Sequence, residues 1–382
     1  MNGKAMAAGV LAAVTALTGL PAVTAHADGP GRRDVRVTRF LGEQRLPHLM
    51  DFEGTTVGGL SGITRDPLTD TWYLISDDRW RYNPARFYTG RLDFNRVTGA
   101  FTGVRITGHT TFLRPDGTPF PGFGQPQSAD PETIRYDRRA RRLLWAHEGD
   151  RPDETHPGIP VSGLFVRWTD REGRFQGELP LPANLTMTDA QRGPRRNLGF
   201  EGLAVGRDRI AAIVEGPRYE DGPIPTTRRG APVRITVWDR RGAVRGQYAY
   251  PLDPLPAAPN PPNGAYDTGV SELLAIDDER YLALERSWIE GVGYKVRLYQ
   301  LDLRDATDIQ QRDTLTTGRP YRMASKRLVY DFGLSHQPVQ NLEALAWGPH
   351  LLTGECTLVA GSDDNFDSRE VTQFLAFAVR GC

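Results

Sequence analysis

One two-part stretch returns five times along this chain, about seventy residues apart, and a period of that length restricts the fold to a few repeat architectures. The copies are "GGLSGITRDPLTDTWYLISDDR" from Gly58, "DPETIRYDRRARRLLWAHEGD" from Asp130, "GFEGLAVGRDRIAAIVEGPR" from Gly199, "GVSELLAIDDERYLALERSW" from Gly269 and "NLEALAWGPHLLTGECTLVAGSDDN" from Asn341. Each holds two short apolar runs split by a polar turn, the pattern of paired strands. A third strand follows in every copy: "RFYTGRLDF", "GLFVRWTD", "VRITVWDR", "YKVRLYQLDL" and "QFLAFAV". A fourth follows in the first four: "GVRITGH", "FQGELPL", "RGQYAYPL" and "RLVYDFG". Helical periodicity is weak throughout. Four strands per copy is a propeller blade. The fifth copy ends after its third strand, and "VRVTRFLGEQ" at residues 35–44 is free to supply its outer strand. The expected fold is all-β, a β-propeller of five four-stranded blades closed by the N-terminal strand. Six blades stay open, because the proline-rich stretches 112–129 and 252–268 are long enough to hide irregular elements; otherwise they read as loops.

The ends of the chain bear on its address. Lys4 precedes the apolar run "AMAAGVLAAVTALTGLPAV", and "AHA" at residues 25–27 is a small-x-small cleavage site. This is the layout of a secretory signal peptide over residues 1–27, leaving a propeller domain over 28–382 and a secreted protein. No second long apolar run exists in the sequence, so no membrane span is expected. Basic and acidic residues balance at 47 each, which removes the case for a nucleic-acid partner. A monomer is expected. The two cysteines, Cys356 and Cys382, both fall in the last strand pair, and export favours a disulfide between them.

The repeats carry acids where strands usually carry none. The first acidic position is Glu132, Glu201, Glu272 and Glu343, with Ser61 in the same slot of the first copy. The second is Asp77, Glu148, Glu215, Glu285 and Asp363. In antiparallel neighbours the start of one strand lies beside the end of the next. Both acids of each copy therefore converge on one rim of the central channel. Crowded carboxylates repel in a partly dry site and need an offset. A hard cation such as Ca²⁺, which takes six to eight oxygens, suits them. So does arginine: Arg79, Arg151, Arg218 and Arg286 each follow an acid closely. Carboxylates alternating with guanidiniums suit a small anionic or phosphorylated ligand bridged to a metal. The same spacing suits a structural ladder of acid–arginine pairs between blades, and geometry alone leaves the two open.

Other signals read as structural. "SDDNFD" has EF-hand-like spacing at Asp363, Asn365 and Asp367, but Ser368 stands where the loop needs glycine; a looser cation site stays open. "GLSGI" lacks the final glycine of a nucleophile elbow, so Ser61 reads as a strand-start hydroxyl. His147 points opposite to Glu148 along its strand and reads as a packing residue. Trp72, Trp145, Trp238 and Trp347 read as packing between blades.

The segments "GGLSGITRDPLTDTWYLISDD", "FEGLAV…VEGPR", "GVSELLAIDDERYLALERSW" and "NLEALAWGP…LVAGSDDNF" resemble the phytase-like family called "esterase-like activity of phytase", over roughly residues 38–380. The resemblance implies an exported propeller with phosphoester or ester hydrolysis. By position, its acidic motifs fall on Asp77, Asp78, Glu132, Glu148, Glu201, Glu215, Glu272, Glu285, Glu343, Asp363 and Asp364. The resulting expectation gives metal ligation to Asp77, Asp78, Glu132, Glu148, Glu201, Glu272, Glu343, Asp363 and Asp364. It gives catalysis to Glu201, Glu215, Glu272 and Glu285, and substrate binding to Arg79, Arg151, Arg218 and Arg286. The glycine usual after the strand-one glutamate is Thr133 in the second copy and Ala344 in the fifth, narrowing any ligand approach to the backbone there. Three functions follow: a metal-assisted phosphoester hydrolase, a non-catalytic binding propeller using the same rim, and, last, a carboxylic esterase, for which no Ser/His/Asp set is evident.

Overall fold

In the computed structural model, strands form where the apolar runs predict them; the structure describes residues 34–95, 97–334 and 338–382. The expected signal peptide, residues 1–27, lies outside the described residues. In chain order come β1 (Arg36–Arg45), a small hairpin of β2 (Met50–Phe52) and β3 (Thr55–Val57), and a first blade of β4 (Gly62–Asp66), β5 (Thr71–Ser76), β6 (Arg86–Phe94) and β7 (Phe101–Thr111). The second blade is β8 (Pro131–Asp137), β9 (Arg142–His147), β10 (Phe165–Thr169) and β11 (Phe175–Glu178). The third is β12 (Phe200–Val205), β13 (Arg209–Val214), β14 (Ala231–Asp239) and β15 (Val244–Leu252). The fourth is β16 (Tyr266–Ala275), β17 (Arg280–Ile289), β18 (Gly293–Asp302) and β19 (Ser325–Asp331), and the fifth holds β20 (Leu342–Trp347), β21 (Cys356–Ser362) and β22 (Gln373–Arg380).

Each blade is a four-stranded antiparallel sheet with strands in sequence order from the centre outwards, and β1 is the outer strand of the fifth. It pairs with β22 from Arg36↔Arg380 to Arg45↔Gln373. The innermost strands meet around the axis, β4 on β8, β8 on β12, β12 on β16, β16 on β20 and β20 on β4. The ring is thus closed at five blades. The two proline-rich stretches contain no sheet of their own, only the isolated bridge Leu113↔Pro119.

Apolar side chains from facing blades fill every seam. Trp72, Trp145 and Trp238 are buried in these seams. Trp145 stacks on Phe112 at 4.2 Å, and Trp347 donates its indole N–H to Ala275 O of the fourth blade at 2.8 Å. Each such side chain contributes roughly 1.5–3 kcal/mol by burial alone.

The channel is not open below its rim. Arg135, at the centre of β8, is 4% exposed. Its Nη1 donates to Ile63 O at 2.9 Å and its Nη2 to Leu273 O at 2.8 Å. Glu272 Oε2 lies 2.6 Å from the same Nη2. This pair ties the first, second and fourth blades across the axis. Around it the glycines serve blade packing. A Cβ on Gly62 would come within 2.9 Å of Thr133 Cα, and one on Gly202 within 2.6 Å of Leu273 N. Those glycines therefore admit a neighbouring backbone rather than a ligand, and Thr133, in the same slot, donates to Glu272 at 3.1 Å.

Cys356 and Cys382 form a disulfide closing a 26-residue separation. Opening it in a Cys356→Ser/Cys382→Ser protein should cost about 2–4 kcal/mol through the freed unfolded chain. Urea unfolding of both proteins measures this, and equal midpoints would show that β1 and β21 hold β22 without the bond.

Candidate functional site

The acids reach the rim because of a repeated irregularity in the innermost strands. In β8 the register skips from Pro131↔His147 to Thr133↔Ala146, leaving Glu132 unpaired. The same bulge isolates Glu201 in β12 and Glu343 in β20. A bulge re-aims the extra residue, here into the channel mouth. In β16 the bulged residue is Ser271, not Glu272. The partner slot follows the end of the second strand: backbone bonds from Asp77, Glu148, Glu215 and Asp363 N to Gly59, Asp130, Gly199 and Asn341 O mark it. In the fourth blade Gly269 instead pairs with Arg286. That blade therefore puts Ser271 and Arg286 at the rim, where the sequence reading had placed Glu272 and Glu285.

This register corrects two catalytic assignments, one of which also carried metal ligation. Glu272 is the axial carboxylate described above. It also accepts from Leu203 N and Leu273 N, and burial pushes its carboxyl up to about 7 despite Arg135. Glu285 faces the other way, accepting from Tyr250 Oη at 2.6 Å and Lys326 Nζ at 2.5 Å. Neither can meet a rim ligand. Two arginines are also withdrawn. Arg151 donates to Arg192 O, Pro194 O and Ala190 O, and Arg218 holds Asp221 and the carbonyls of Asn184 and Asp313; both are buried in loops. One proposed ligand is spent on structure: Asp78 accepts from Arg86, Tyr82 N and Asn83 N. Asp364 Oδ1 accepts from Gly59 N and Phe366 N, while its Oδ2, 3.5 Å from His48 Nδ1, has no hydrogen-bond partner among the described residues.

What remains converges on a funnel of about 390 Å³ lined by Asp77, Asp130, Glu132, Glu148, Glu201, Glu343 and Asp363, with Arg79 and Arg286 among them. Carboxylate oxygens of Asp130, Glu132 and Glu148 lie within 4.8 Å of one another, and so do those of Glu148, Glu201 and Glu215. Glycines make room for them: a Cβ on Gly269 would sit 2.1 Å from Glu215 Cγ, and Gly199 N donates to Glu148 Oε1 at 3.2 Å. Arg286 is shared by Glu215 and Glu343, each at 3.1 Å, and by Asp267 at 2.5 Å. Arg79 bridges Asp130 at 3.1 Å and Asp150 at 3.3 Å.

Burial first, and then mutual repulsion, raises the carboxyls of Asp77, Glu132, Glu148, Glu201, Glu215 and Asp363 well above the usual range. Among the described residues, Asp130 Oδ1 and Glu215 Oε2 are buried without a hydrogen-bond partner. These buried acidic clusters could hold a metal ion: the donors are all hard oxygens lying within 4.8 Å of one another.

Asp130, Asp267, Asn341, Trp288 and Tyr294 line the funnel but were missed from sequence. Asp130 and Asn341 stand where the other copies have Gly59, Gly199 and Gly269, so aligning the copies one residue further back exposes them. His147 packs as expected. Asp130 N donates to its Nδ1 at 2.9 Å, its Nε2 is 3.1 Å from Ser162 Oγ, and burial pulls its pKa down to about 3.

A closed ring of five blades with acids gathered at one mouth of its channel defines a five-bladed β-propeller. The chain belongs to the phytase-like family: that family's pattern, described as "Esterase-like activity of phytase", matches residues 55–366. Family and fold together describe a hydrolase-like propeller. No curated protein matches the chain. Among solved structures it is similar to a mutant of the GH43 protein BlXynB from Bacillus licheniformis, at 11% identity and TM-score 0.39, covering 84% of this chain and 50% of that one. The chain thus spans about half the length of that protein. It is also similar to a protein of unknown function from Dyadobacter fermentans, at 9% identity and TM-score 0.38, covering 90% and 98%. A third is a member of the duf4221 family from Bacteroides vulgatus, at 9% identity and TM-score 0.36, covering 91% and 98%.

Protonation links the rim to stability. Folded carboxyls with raised pKa keep protons that unfolded ones, near 3.8 and 4.5, release. The folded state then binds more protons, so metal-free stability falls as pH rises above that range. His147 acts oppositely between about 3 and 6.5, but as one group against several. Melts in chelator should therefore give a lower Tm at pH 8 than at pH 5, with calcium raising Tm more at pH 8. A calcium shift equal at both values would contradict this. Two substitutions separate rim from axis. Glu201→Gln should leave the metal-free protein as stable or more so, and shrink its calcium shift. Glu272→Ala strands Arg135 and should cost roughly 3–5 kcal/mol with or without calcium.

Proposed function

We propose that the funnel is a metal-assisted phosphoester hydrolase site that works outside the cell. The observation that carries this reading is the pair of buried carboxylate triads sharing Glu148, with unpartnered oxygens on Asp130 and Glu215. Asp130, Glu132, Glu148, Glu201 and Glu215 would hold a divalent cation, calcium being the best match to all-oxygen donors. When bound, it supplies positive charge to a phosphoryl oxygen. Glu201 and Glu215 would then stand beside the ester. Asp77, Glu343 and Asp363, with carboxyls raised by burial, form the opposite edge and can keep a proton for the leaving alcohol. Arg79 and Arg286 would share their guanidinium protons with the phosphate.

One observation favours a second reading, a binding propeller without turnover. Both rim arginines are already engaged by two or three carboxylates each, so neither is a free anion hook. The esterase reading has least support. Ser61 Oγ is turned onto Pro131 O, and His147 takes a backbone N–H at Nδ1, which leaves its proton on Nε2 facing Ser162. Assay of phosphomonoesters and phosphodiesters before and after chelation tests the hydrolase. Turnover should need the metal, and Glu148→Gln should reduce kcat/KM at least a hundredfold by breaking both triads. Metal binding with no turnover on any ester selects the binding propeller.

A further inference from the structure

The fourth blade differs from the others in two ways that meet at one place. Its rim slots hold Ser271 and Arg286 in place of two acids. Its inner hairpin also overruns the rim. The second strands of the other blades stop one residue before the rim slot, at Ser76, His147, Val214 and Ser362. In contrast, β17 passes Arg286 and continues through Ser287 and Trp288 to Ile289, paired on both sides. The extra length builds a wall above the funnel. Across it, Asp267, Trp288 and Tyr294 stand in one row, Asp267↔Trp288 and Trp288↔Tyr294, and all three line the funnel. Tyr294 is fixed by its hydroxyl, which donates to Glu370 at 2.8 Å. Trp288 has no hydrogen-bond or ring partner among the described residues, although it is only half-buried beside the charged rim.

We propose that this wall is the subsite for a ring-bearing alcohol portion of the ligand, with a flat apolar ring face, aryl or sugar, laid on Trp288. The extended strand carries a half-buried indole to the edge of an acidic funnel. The fourth blade is also the only side, among the described residues, with no carboxylate in its two rim slots, and the Arg286 there is already paired with Glu215, Glu343 and Asp267, so a ring laid on that side covers no unpaired charge. Asp267 remains partly exposed beside Trp288 and can accept from a ring hydroxyl while paired with Arg286. An indole offers its face to rings strongly enough to choose among alcohols by roughly two- to tenfold, without holding them alone.

The inference rests on the funnel being the ligand site, and the test separates the two. Calorimetric titrations in calcium compare phenylphosphonate, the non-hydrolysable glucosyl methylphosphonate and methylphosphonate on wild type, Trp288→Ala and Trp288→Phe. At least one ring ligand should bind roughly two- to tenfold tighter than methylphosphonate. Trp288→Ala should erase that preference and Trp288→Phe should keep most of it at an unchanged melting temperature. A gain for phenylphosphonate alone marks an aryl ligand, and for glucosyl methylphosphonate alone a sugar. Phenol and methyl glucoside are titrated in chelator as metal-free arms. If they bind through Trp288 while no phosphonate binds, the subsite stands and the phosphoester reading falls. Ring and methyl ligands binding alike, or a preference that survives Trp288→Ala, overturns the subsite.

Discussion

Like charge held in a small, dry space governs this molecule. Two carboxylates at ~4 Å repel by about 4 kcal/mol even at an effective dielectric of about 20. A whole domain is stable by only about 5–15 kcal/mol. The rim brings two triads within 4.8 Å around one shared Glu148. They cannot all be charged and unaccompanied. Protons, arginine or a cation must make up the difference. Much of the local structure serves that compromise: bulges aim the acids inwards, glycines clear space for them, and Arg286 and Arg79 each bind several at once.

The compensation is uneven around the ring, and the unevenness gives the funnel a direction. Arg286 sits among Glu215, Glu343 and Asp267, so the fourth-blade side is partly neutralised. Between the second and third blades, Asp130 and Glu215 keep oxygens that are unpartnered among the described residues, and the acidic clusters there could hold a cation. Beneath, Arg135 and Glu272 bind the blades to each other across the axis. The floor under the funnel is thus closed by a buried ion pair.

The sequence made the fold legible because its period is set by backbone architecture, which every copy must satisfy. The strands and their order follow from it, and they put Cys356 and Cys382 at the one strand pair where the bond forms. The site was legible only in part. Glu132, Glu148, Glu201, Glu215, Glu343, Asp77 and Asp363 meet at the rim as read. In the fourth copy, "SE" and "ER" each offered an acid one residue away from the true slot, and residue type won over register. The slot is defined by a bulge, which leaves no mark in composition. Arg151 and Arg218 failed for a related reason. Past the end of a strand the chain direction is free, so spacing from an acid no longer fixes where a side chain points. Trp288 was invisible because only the extra length of β17 lifts it above the rim.

The central claim is that a cation completes the carboxylates between the second and third blades. Crystals of the protein soaked in manganese, with anomalous diffraction, test it most directly. The account predicts a single strong anomalous peak within bonding distance of Glu148 and of oxygens from Glu201, Glu215 or Asp130. A rim without a peak at millimolar manganese, or a peak only at the Asp363–Asp367 turn, would contradict it.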